Sequence, residues 1–159
     1  MKGLILERRT LDLRSAADVI ADIQHLRAVG YTQTKRWNLT HICQHLDATM
    51  TGGMDGFGFR LPWIARRTLV KWGFAYALKK RKLFSGAPTF PFLQPTASND
   101  QDDNEMIDHC IATIARAGVF NGSMEDYALL DGLSADDWRE FMWIHAAHHL
   151  SFLVPHPDA

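Results

Sequence analysis

The chain has 159 residues, of which 47% are hydrophobic and 22% charged, and its formal net charge is −1. Such a composition excludes a disordered chain, and the near-zero charge gives no pull toward nucleic acid or an anionic membrane. Residues 1–159 are expected to form one domain with a core large enough to stand alone.

Two cysteines, Cys43 and Cys110, are too few for a disulfide framework. The opening MKGLILERRT has no apolar run of signal-peptide length, and no stretch approaches the roughly 18–20 apolar residues of a membrane span. The expectation is a soluble cytoplasmic protein without a membrane or nucleic-acid partner.

Helical signals then follow in chain order. LILERRTLDL carries a weak extended pattern. Ser15 can cap a helix through AADVIADIQHLRAV, which Gly30 ends. Asn38 can cap a second, LTHICQHLDATM, which the glycines of TGGMDGFGF stop. LPWIARRTLVKWGFAYALKKRKL reads as a third helical stretch with Pro62 in its first turn, and the proline-rich SGAPTFPFLQPTASND as irregular. In DNEMIDHCIATIARAG, Ile107, Cys110, Ile111 and Ile114 share a face. Ser134 caps the last helix, DDWREFMWIHAAHHLSFL, with Asp137 completing a capping-box-like start. The pattern predicts an all-α fold: a helical bundle with an inserted helical segment.

From Gly56 to Asn99 there are eight basic residues and no acidic one, after which DQDDNE turns acidic. This reads first as a solvated basic helix with an acidic neighbour, and second as a rim that draws in an anionic ligand.

The last helix places histidines where a core helix wants leucine. With about 100° per residue, His149 lies about 40° from His145, and Trp138, Phe141, Met142 and Phe152 fall on the same face. His148 lies toward the edge. A buried imidazole needs a hydrogen-bond partner or a metal, and an i, i+4 pair can offer two nitrogens to one ion. In the second helix His45 borders the apolar stripe of Leu39, Ile42 and Leu46 more closely than His41 does. Three imidazoles with an open fourth position suit catalytic zinc, and nickel or iron also accept them. His25, His109 and His156 lack a comparable pairing, and the two cysteines read as packing residues.

WNLTHICQHLD, with Trp37 followed eight residues later by His45, and the HAAHH of the last helix resemble the two metal-binding elements of the DinB/YfiT-like metalloenzyme superfamily. GLSADDWREFMWIHAAHHLSFL resembles one branch of unknown function, and the likeness extends over nearly the whole chain. The resemblance implies a DinB/YfiT-like four-helix bundle with an inserted helical segment. It also implies a divalent metal, zinc first, held by His45, His145 and His149. His41 and His148 would stand at the rim. The implied activity is activation of a water or thiol for hydrolysis or thiol transfer on a small molecule. The alternative is a non-catalytic bundle that binds a ligand or partner. The chain departs from the superfamily's thiol transferases at Leu150, Ser151 and Phe152, where those often carry a polar, Gln-containing turn.

Trp143, Ala147, Leu150 and Val154 form a second apolar stripe on the last helix. The sequence predicts that the inserted 57–95 segment covers it, with a homodimer as the alternative.

Overall fold

Each long helix begins where a short polar side chain can take up its unpaired amides. The computed structural model describes residues 7–84, 86, 89–96 and 101–157. Ser15 accepts from the Asp18 amide at the start of α1 (Ala16–Val29), and a short strand β1 (Tyr31–Gln33) follows. Asn38 opens α2 (Leu39–Asp55), Asp103 opens α5 (Asn104–Val119) and Ser134 opens α6 (Ala135–Leu150). Between α2 and α5 lie α3 (Trp63–Arg67), α4 (Leu69–Lys80) and a 3-10 turn, Pro91–Leu93. A strand β2 (Leu153–Pro155) closes the chain. The fold is mostly helical, and no helix among the described residues is long and apolar enough to cross a membrane.

The buried stripes of α1, α2, α5 and α6 meet in one core, built on Ile23, Leu46, Ile114 and Trp138. Fully burying such a side chain stabilises the fold by about 1.5–3 kcal/mol. Ile107, Cys110 and Ile114 are buried as their spacing predicts, while Ile111 is half-buried.

Three features depart from the sequence reading. Gly52 and Gly53 continue α2 rather than ending it. A Cβ at Gly52 would overlap the Phe57 ring, and one at Gly53 would lie 2.6 Å from the Trp138 indole. These glycines therefore serve close approach by aromatic rings, and the stop comes at Gly56, with φ 99°. The third helical stretch is broken at Thr68 (φ −119°, ψ −102°) into α3 and α4. Of the segment read as extended near the N-terminus, residues 1–6 lie outside the described residues, and residues 7–10 form no strand.

The strands that do form were not legible in the sequence. β1 and β2 pair antiparallel, Thr32 opposite Val154, and the Thr34 amide donates to the Phe152 carbonyl at 2.9 Å. This ribbon ties the entry to α2 to the exit from α6. It thereby holds together the two helices that carry the histidines.

Trp143, Ala147 and Leu150 of the second stripe are buried and Val154 is half-buried, and the insert covers the stripe only in part. Trp143 lies beside Ala16 and Ile20 of α1, and Ala147 beside both the segment Arg8–Leu11 and Arg81–Leu83 of the insert. Arg9 fastens that segment, donating to both carboxylate oxygens of Asp22 at 2.8 Å and to the Leu150 carbonyl at 3.0 Å. The rest of the insert packs against the histidine side of α6, where Phe74 of α4 stacks on Phe141 at 3.9 Å between ring centroids.

Candidate metal centre

The three predicted histidines converge. His45 on α2 is buried at 3% exposure, and its Nε2 lies 3.0 Å from His145 Nε2. His149 Nε2 lies 3.0 Å from the same atom, and all three ligand atoms fall within 4.8 Å of one another. The i, i+4 spacing on α6 and the ribbon that binds α6 to the start of α2 bring this about.

One proton position in the group is fixed by its partner. His45 Nδ1 lies 2.8 Å from the Leu93 carbonyl oxygen, which can only accept. Nδ1 is therefore the protonated nitrogen of the neutral ring, and its Nε2 presents a lone pair to the cluster. His145 Nε2 has a neighbour on each side but at most one proton to donate. Without a further group, lone pairs on the inward nitrogens face one another. Two nitrogens bound tetrahedrally to zinc at 2.0–2.1 Å stand about 3.3 Å apart, close to the 3.0 Å of the His45–His145 and His149–His145 pairs, while the three atoms together lie within 4.8 Å. The donor set thus fits a divalent ion, and the bond from His45 to a backbone carbonyl is the support metal-bound imidazoles characteristically receive.

Surroundings keep the rings neutral. Burial, reinforced by the neighbouring imidazoles, holds His145 and His149 well below the ordinary histidine pKa of 6.5, and burial also lowers His45. His148 is pushed down to about 4 by burial and by Arg8 and Lys35. Trp37 stacks on His149 with ring centroids 5.3 Å apart and tilts over His45 at 5.1 Å.

A cleft of about 320 Å³ reaches all three histidines from the side of the insert. His148 lines it, at the edge its helical position predicts. His41 does not belong to the rim. Its Nδ1 accepts from the Asn38 amide at 3.2 Å while its own amide donates to Asn38 Oδ1, which makes it the third residue of a capping box. Leu93, whose carbonyl orients His45, falls in the proline-rich stretch read as irregular. A backbone acceptor leaves no mark in side-chain chemistry.

None of the insert's eight basic side chains is among the described residues that line this cleft. Arg66 and Arg67 pair with Asp131 at 2.6 and 3.1 Å, Arg60 also reaches it at 3.3 Å, and Arg81 is held by Asp12 and Glu140. The insert's arginines are thus neutralised by acidic residues other than those of DQDDNE. Of that run, Asp102 accepts from Tyr31 and Thr40, and Asp103 caps α5. Cys43 and Cys110 are free, buried thiols in the core, as packing residues would be.

No curated protein and no solved structure gives a significant match to this sequence. The model of one protein family, described as a protein of unknown function, matches residues 5–156, nearly the whole length. The chain belongs to that family, DUF1569.

Proposed function

We propose that His45, His145 and His149 hold a divalent metal ion, zinc first with nickel or iron as alternatives. In this reading the helices form a DinB/YfiT-like four-helix bundle, and the protein is a cytoplasmic metal-dependent enzyme acting on a small molecule. The observation that carries the proposal is the meeting of three Nε2 atoms, with His45 Nε2 left as a lone pair by the Leu93 carbonyl. An ion held by three imidazoles supplies Lewis acidity to a water or thiol at its open position, which suits hydrolysis or thiol transfer. The chain's own part is to orient His45 through Leu93, to shield the centre with Trp37 and to leave one side open through the cleft. That open approach favours an enzyme over a purely structural metal site, which would be closed.

Elemental analysis of protein purified without chelators or an affinity tag tests the proposal, beside a His45→Ala, His149→Ala double variant. Near-stoichiometric metal in the wild type and none in the variant is the expected result. A metal-free wild type that also takes up no Zn²⁺, Ni²⁺ or Fe²⁺ would overturn it.

A further inference from the structure

The cleft beside the histidines is mostly apolar, its polar groups being the four histidines and the hydroxyls of Thr49, Thr89 and Tyr127. Val70 and Phe74 of α4, Leu83, Phe84 and Phe90 of the insert and Phe141 of α6 supply much of its wall. Among the described residues no Lys, Arg, Asp or Glu lines it. The Thr49 hydroxyl donates to the His45 carbonyl at 2.7 Å and is already engaged. Arg8 and Lys35 act on His148 at the edge but do not line the cleft. A charged group carried into its body would therefore lose its hydration and meet no counter-ion among the described lining residues, at a cost an uncharged chain does not meet.

We infer that this cleft takes the uncharged, apolar body of a molecule whose single metal-binding head group sits at the three histidines. The inference rests on the metal-centre reading and adds the substrate class to it. Gly73 supports it from the roof. It lines the cleft on the α4 face that also carries Val70 and Ala77, and among the described residues a Cβ there would meet no atom within 4 Å outside its own helix turn. Its φ is not positive, so the backbone does not require glycine. Open space at a position where any residue could stand leaves room in this wall of the cleft for a ligand chain.

Protein loaded with Co²⁺ gives two separate readouts. The visible spectrum of the ion reports the centre, and its change on titration reports binding of ethanethiol, butanethiol, hexanethiol and the charged 2-mercaptoethanesulfonate. Affinity is expected to rise about three- to fourfold per added methylene, with the sulfonate weaker than butanethiol. Gly73→Leu should flatten the chain-length series and leave Co²⁺ uptake unchanged, with Gly73→Ala intermediate. A normal Co²⁺ spectrum with affinities independent of chain length, or with the sulfonate binding as well as butanethiol, overturns the substrate class alone. No histidine-bound Co²⁺ spectrum in the wild type overturns the metal centre, and the substrate class with it.

Discussion

His45 gives its Nδ1 proton to the Leu93 carbonyl at 2.8 Å, which turns its other nitrogen toward His145 as an acceptor. A residue of α2 is thus oriented toward the histidine cluster by a backbone group 48 positions away, on the 3-10 turn of the insert. Nitrogen NMR of the metal-free protein near neutral pH should show His45 protonated at Nδ1 and bare at Nε2. A ring carrying its proton on Nε2 would contradict this arrangement. Leu93→Ala, which leaves the carbonyl but loosens a side chain only 7% exposed, should weaken metal affinity up to about tenfold without abolishing it. Competition with a chromophoric chelator measures the change.

Much of this centre was legible because helical geometry is regular. The spacing of His145 and His149 fixes their common face, and the apolar neighbours of His45 point it inward. Caps at Ser15, Asn38 and Ser134 also lie where the sequence places them. What stayed hidden depends on contacts distant in sequence. Gly52 and Gly53 look like a helix stop unless Phe57 and Trp138 are known to lie against them. The capping role of His41 competes with a rim role on the same helix, and only the Asn38 geometry decides between them. The β1–β2 ribbon is three residues long on each side, too short for a periodic signal.

Trp37 is a built-in reporter of the centre. Its ring stacks on His149 and tilts over His45, with centroids 5.3 and 5.1 Å away. An open-shell ion such as Co²⁺ should quench its emission on binding. Trp37→Phe should remove most of the metal-dependent change while the remaining tryptophans still fluoresce. Equal quenching in both proteins would place the ion elsewhere.

The two helical glycines with opposite surroundings predict opposite responses to alanine. Gly53→Ala gains roughly 1 kcal/mol in helix propensity but drives a methyl group to 2.6 Å from the buried Trp138 indole. Overpacking of this kind costs about 1–3 kcal/mol, so the clash should win and the urea midpoint should fall. Gly73→Ala gains the same propensity with no described residue outside its own helix turn within 4 Å of its Cβ, and its midpoint should rise. A higher midpoint for Gly53→Ala would mean that the Trp138 ring moves aside freely.

Arg81 fastens the insert to the rest of the molecule while holding a left-handed backbone. It ends α4 with φ 51° and ψ 39°, and its guanidinium reaches Asp12 at 2.6 Å, the Leu13 carbonyl at 2.9 Å and the Glu140 carboxylate. Arg81→Ala removes these bonds and keeps the backbone cost of a Cβ in that region. Leaving a part-buried carbonyl without its donor costs about 1–3 kcal/mol. Arg81→Gly loses the same bonds but relieves about 1–2 kcal/mol of left-handed backbone cost. Both variants should lower the thermal midpoint, with glycine retaining more stability than alanine. Alanine at or above the glycine midpoint would show that residue 81 is not left-handed in solution. Because α4 roofs the cleft, both should also blunt the preference for longer thiols while Co²⁺ uptake persists.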